Sequence, residues 1–125
     1  MGYYMTQGDT KFAINKTKIS DVLAAIKSIP DEGYGWVDGS YVSAENIDDA
    51  FDDWRWAPHY SENGNINGLD FIGQKSGDDL VLFTAIAPFV EDGSYIVMTG
   101  EDGFVWRWLF KGGKITEQAG SMVFG

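Results

Sequence analysis

Residues 104–110 read Phe104-Val105-Trp106-Arg107-Trp108-Leu109-Phe110, with Glu101-Asp102-Gly103 just before and Gly112-Gly113 just after. Phe104, Trp106, Trp108 and Phe110 fall on alternate positions. A strand here therefore sends their rings to one face and Val105, Arg107 and Leu109 to the other. Each ring can bury on the order of 150–250 Å², so this strand is expected to seat the core. Gly112-Gly113 is a two-residue hairpin signal, leading to a further strand at residues 114–118. Upstream, residues 94–99 read as its other partner across the Glu101-Asp102-Gly103 turn. With the aromatic row inside, the opposite face is expected to expose Val105, Leu109, Ile96 and Met98 around Arg107, a candidate homodimer surface.

Working outward, residues 3–6 and 11–15 read as short strands around a Gln7-Gly8-Asp9 turn. A first helix carries Ile19, Val22, Leu23, Ile26 and Ile29 at three-and-four spacing, capped by Thr17 or Ser20 and stopped by Pro30. Residues 34–37 read as a short strand. Ser43 is the expected cap of a second helix with an apolar stripe of Ala44, Ile47, Ala50, Phe51 and Trp54. Trp54-Arg55-Trp56 opens a strand closing at Pro58, and residues 66–72 form the next. A third helix starts near Ser76 or Asp78, carries Leu80, Val81, Phe83, Ile86 and Val90, and is broken by Pro88. Residues 121–124 read as a last edge strand.

The order Phe12-Ala13-Ile14, Asp21-Val22-Leu23, Asp31-Glu32-Gly33-Tyr34, Trp54-Arg55-Trp56 is echoed by Phe71-Ile72, Asp79-Leu80-Val81, Glu91-Asp92-Gly93-Ser94-Tyr95, Trp106-Arg107-Trp108. A pseudo-duplicated β-α-β-β pattern is one reading, and chance similarity in an aromatic-rich chain is the other. Either way the class is α+β: one domain (residues 1–125), a mainly antiparallel sheet of about six to seven strands, and two to three helices on one face.

Composition narrows the function. The 125 residues include five Trp and 15% aromatics, enough for a self-sufficient core. There is no Cys, which removes disulfides, thiolate metal sites and a Cys nucleophile. No apolar run reaches the roughly 18–20 residues that span a bilayer. The first residues lack the basic and apolar regions of a secretory signal, so a cytoplasmic location is the expectation. Net charge is −10 and the pI about 4.2, which disfavours direct contact with nucleic acid or an anionic membrane.

The carboxylates are unevenly placed. Between Lys27 and Arg55 stand eight acidic residues and no basic one. Of these, Glu45, Asp48, Asp49, Asp52 and Asp53 are expected to line the outer faces of the second helix. That surface suits a basic protein partner, with carboxylates standing where a nucleic acid would place phosphates; a purely solubilising role is the alternative. Catalytic patterns are missing. His59 is the single histidine, and neither a nucleophile elbow nor a phosphate loop occurs. Asn63-Gly64-Asn65-Ile66-Asn67-Gly68 has the spacing of a calcium loop but amides in place of carboxylates, so turn chemistry explains it better. The adjacent carboxylate pairs read as turns and helix starts. No catalytic residue, cofactor or metal is therefore assigned. Arg55 and Arg107, each between two indoles, are the remaining polar oddity. A guanidinium stacked on indole and forked to a carboxylate is one, structural, reading; the other is that with Trp54 and Trp106 they bind a small anion or an aromatic ligand, as a binding protein or a minor enzyme.

The segment Gly100-Glu101-Asp102-Gly103-Phe104-Val105-Trp106-Arg107-Trp108-Leu109-Phe110, with Ile86-Ala87-Pro88-Phe89-Val90 upstream, resembles a group of small acidic proteins of bacteria and their phages. The resemblance spans most of the chain and is strongest over residues 71–110. It brings no activity and no functional residues, and implies at most a phage or mobile-element accessory role.

Overall fold

The structure is a computed structural model and describes residues 3–35 and 37–119. Its central strand is β5, Val105–Lys111, in a four-stranded antiparallel sheet with β1 (Met5–Lys11), β4 (Tyr95–Gly100) and β6 (Lys114–Ala119), ordered β1-β4-β5-β6. Gly112 and Gly113 both take positive φ, 63° and 74°, closing the β5–β6 hairpin as the dipeptide requires. Trp106, Trp108 and Phe110 are buried, as the alternation demands. Phe104 departs from the row: it lies in the turn before β5 and is 47% exposed.

Ile96 and Met98 also depart from expectation. Ile96 pairs with Trp108 and Met98 with Trp106, and directly opposed residues of an antiparallel pair share a face. Both are therefore fully buried with the indoles. Val97, Thr99, Val105, Arg107 and Leu109 occupy the other face and are half-buried.

The expected single sheet is two sheets. β2 (Trp56–Tyr60) and β3 (Ile66–Phe71) form a separate antiparallel pair. β1 is one strand rather than two around a turn, with its register against β4 slipping between Gln7 and Thr10. It packs against β3 without forming a ladder with it. The Gln7 side chain bridges the gap instead: its Nε2 donates to the Leu69 carbonyl and its Oε1 accepts from the Phe71 N–H, both at 2.7 Å.

Three α-helices accompany the sheets: α1 (Ile19–Lys27), α2 (Ile47–Asp53) and α3 (Asp79–Ile86). The cap of α2 is Asn46, whose side chain accepts from the Asp49 N–H at 2.8 Å. Ser43 lies instead in a preceding 3₁₀ turn, Ser40–Ser43. Pro88 falls in a 3₁₀ turn, Ala87–Phe89, where α3 has already ended. α1 packs on both α2 and α3, and Phe83 of α3 meets the rings of Trp56, Trp108 and Phe110 at 5.1–5.7 Å.

Tyr34, Gly35 and Val37 form no strand, and residues 12–14 contribute only an isolated bridge between Ile14 and Ile66. The first half thus lacks the strands that would mirror β3 and β4, and the apparent duplication has no structural counterpart. The expected edge strand at residues 121–124 lies outside the described residues. Among the described residues no helix is long and apolar enough to cross a membrane.

Candidate functional site

The acidic segment divides once it folds. Glu45, Asp48, Asp49 and Asp52 are exposed, whereas Asp53, only 8% exposed, turns inward. Its Oδ1 accepts from the Asp38 N–H at 3.0 Å and its Oδ2 from the Tyr41 N–H at 2.9 Å. Helical geometry explains the split, since residue 53 lies three positions past the buried Ala50, on the same side of the helix.

Glu45, Asp49 and Asp52 surround a shallow depression of about 410 Å³ together with Ser40, Ser43 and Ala44. Asp48 sits outside it and accepts from the Tyr60 hydroxyl. Burial first, and that bond second, push the Tyr60 hydroxyl above its ordinary pKa. Among the described residues no Lys, Arg or His lies within salt-bridge distance of these four carboxylates. Their like charges reinforce one another over about a Debye length.

The Trp/Arg constellation is taken apart by the fold. Trp106 is buried on the inner face of β5 while Arg107, its neighbour, lies on the outer one, where Nε donates to Gln118 Oε1 at 2.7 Å and the guanidinium lies over the Tyr95 ring. Strand alternation forces that separation. Trp54 is also buried, packed on Tyr34 and Tyr41. Neither indole offers a free stacking face, and the two arginines are separated, Arg55 in the turn before β2 and Arg107 within β5. Arg55 itself is exposed and has φ of 70°, the one described non-glycine residue in the left-handed region. Its carbonyl accepts from the Ile72 N–H at 2.9 Å. It lines a cleft of about 390 Å³ with Ile72, Gly73, Gln74 and Lys75.

Sequence reasoning missed a second cleft, of about 420 Å³, where the start of α3 faces the aromatic end of β5. Asp79, 5% exposed, lies there: Oδ1 accepts from Trp56 Nε1 at 2.9 Å and Oδ2 from the Gly77 N–H at 3.1 Å. Burial raises the Asp79 carboxyl above its ordinary pKa, against those two hydrogen bonds. The Asp78-Asp79 pair reads in sequence only as a helix start, and nothing there signals its approach to residues 104–108.

Comparison of the chain with protein-family models, with curated proteins and with solved structures returns no match. The functional reading therefore rests on this geometry and its charges.

Proposed function

We propose that this is a non-enzymatic binding protein that uses Glu45, Asp48, Asp49 and Asp52 to engage a basic surface of a protein partner, as an inhibitor or modulator. One observation carries the reading: four exposed carboxylates at the start and along one side of α2, with no cation within pairing distance among the described residues. A basic surface that normally holds phosphates would find comparable charge there, and association would be steered electrostatically. The accessory role implied by the resemblance to small acidic phage proteins fits this mode.

Titration against a panel of nucleic-acid-binding proteins tests it. Binding is expected to weaken steeply between low and moderate ionic strength. Replacing all four residues by Gln or Asn should reduce affinity by about tenfold or more, with the thermal midpoint unchanged. A neutralised variant that binds as well as the parent overturns the reading.

A second reading, a small-anion site at the Arg55–Lys75 cleft, is favoured by the backbone of Arg55. Holding a non-glycine residue at φ 70° costs roughly 1–2 kcal/mol, a cost the side chain must justify. Arg55→Gly separates the possibilities, because glycine adopts this conformation freely. For an anion site, the variant should keep its stability to within about 1 kcal/mol in urea unfolding and lose binding of inorganic phosphate or a carboxylate. If stability falls by about 2 kcal/mol or more, Arg55 is a structural residue and this reading is wrong.

A further inference from the structure

We infer that the cleft between α3 and β5–β6 binds an organic cation with an apolar stem, an alkyl- or arylalkyl-substituted ammonium or guanidinium.

Two features converge on that class. The first is the pairing of exposed apolar groups. Leu80, in α3, is 39% exposed and Phe104, just before β5, 47%, and both line this cleft. Phe104 lies nearly parallel to Trp106, 24° between planes and 6.1 Å between centroids. Tyr3 approaches Trp106 from another side at 6.2 Å. Leu80 and Phe104 thus offer walls for a stem, and Phe104 and Tyr3 offer ring faces to a cation.

The second is charge. The lining includes Asp78, Asp79 and Glu117 and no Lys, Arg or His among the described residues. Trp56 and Trp108 meet edge-on at 6.2 Å, one donating its indole N–H to Asp79 and the other to Glu117 at 2.8 Å. Two indoles in contact thus each hold one carboxylate of the cleft lining. Asp78 is fixed by the Gly35 N–H at 2.9 Å. All these hydrogen-bond partners are neutral, and Arg55 and Lys75 border Asp78 and Asp79 from an adjoining small cavity rather than from this cleft. The N-terminal end of α3 supplies about half a positive charge near Asp78 and Asp79, whereas Glu117, held by the Trp108 indole, has no Lys, Arg or His within pairing distance among the described residues. Burial already disfavours the ionised form of Asp79, and an entering cation would relieve that penalty. The inference stands apart from the acidic face of α2, whose four residues take no part in the cleft.

The test is a nitrogen-15 NMR titration of the full chain, following the indole N–H signals. The probes are butylguanidinium and phenethylammonium, with butylurea as the neutral control and a capped peptide containing one arginine as a further arm. Saturable shifts of the Trp106 and Trp108 signals are expected with both cations and not with butylurea. Phe104→Ala and Glu117→Gln should each weaken binding about two- to fivefold, and about tenfold together. Neither should alter unfolding, since Phe104 is exposed and the amide oxygen introduced by Glu117→Gln would still accept from Trp108. If the peptide binds as tightly as butylguanidinium, the natural occupant is a protein side chain; if only the free cations bind, it is a small molecule. Equal binding of butylurea, absence of indole shifts with either cation, or wild-type affinity in the double variant overturns the inference.

Discussion

Trp56→Ala is expected to leave the chain without a stable native state. Trp56 is fully buried and touches the rings of Phe71, Phe83 and Trp108 at 5.0–6.2 Å. It is thus a side chain through which the two-stranded sheet reaches both α3 and the four-stranded sheet. Truncating a buried Trp costs about 3–5 kcal/mol. The same change strips Asp79 Oδ1 of its donor, adding about 1–3 kcal/mol for a buried acceptor left unsatisfied. Against a total stability of about 5–15 kcal/mol for a domain, little or nothing remains. Near-UV circular dichroism and urea unfolding would show it; a native-like spectrum and midpoint would mean that Trp56 does not connect the sheets as described.

The milder Trp56→Phe isolates the hydrogen bond and ties it to pH. Asp79 is raised above its ordinary pKa by burial, so the folded state holds its proton to higher pH than the unfolded chain does. Between the unfolded and the folded value the native state binds more protons, and this group's contribution to stability falls as pH rises through that window. Above the folded value the loss is complete and constant. Asp79→Asn should therefore gain stability relative to the parent as pH rises through the carboxylate range, then level off. Trp56→Phe removes a donor that favours the carboxylate, so it should raise the Asp79 value further and steepen the decline. The Trp56→Phe penalty should shrink in an Asp79→Asn background, a coupling that a double-mutant cycle reads directly. Carboxylates held low act with the opposite sign, as Asp38 does through the Ser40 N–H and Asp102 through the Tyr3 hydroxyl. For that reason the difference between variants is the quantity to follow, not the absolute curve.

Residues 105–113 were legible because everything needed lies within them: alternation sets the buried face, and Gly112-Gly113 sets the turn; Phe104, one position before the strand begins, escapes the alternation and is exposed. The same alternation, followed across the hairpin, also decides the side of Ile96 and Met98. Their inward placement needs the β4–β5 register, which local pattern does not give. The split into two sheets was hidden for a related reason. Where a ladder could have joined the sheets, the Gln7 amide reaches the backbone of Leu69 and Phe71, more than sixty positions along the chain, and one polar residue in a polar stretch gives no sign of that. The α3 cleft was illegible on the same ground: Asp79, Phe104 and Glu117 come from three elements, and only the folded sheet brings them together.

Asp53 is where the reading of the acidic helix and its structure part, and it yields the second large effect. Asp53→Ala is expected to cost about 2–4 kcal/mol, because the Asp38 and Tyr41 N–H groups lose their acceptors together. The damage would spread through Tyr41, whose hydroxyl donates to the Ile29 carbonyl at 2.8 Å and whose ring lies 5.4 Å from that of Trp54. Releasing residues 38–41 therefore loosens the end of α1 and uncovers an indole at once. Asp53→Asn keeps one acceptor oxygen and should cost about half as much, whereas Asp52→Asn, one residue earlier and facing water, should stay within about 0.5 kcal/mol. Urea midpoints of these three variants give the comparison, with equal midpoints for Asp53→Ala and the parent excluding the inward role. The contrast also governs how any binding experiment is read. A set of neutralising changes that includes Asp53 would lose partner affinity by unfolding the surface, while one confined to Glu45, Asp48, Asp49 and Asp52 removes charge from a surface that stays in place.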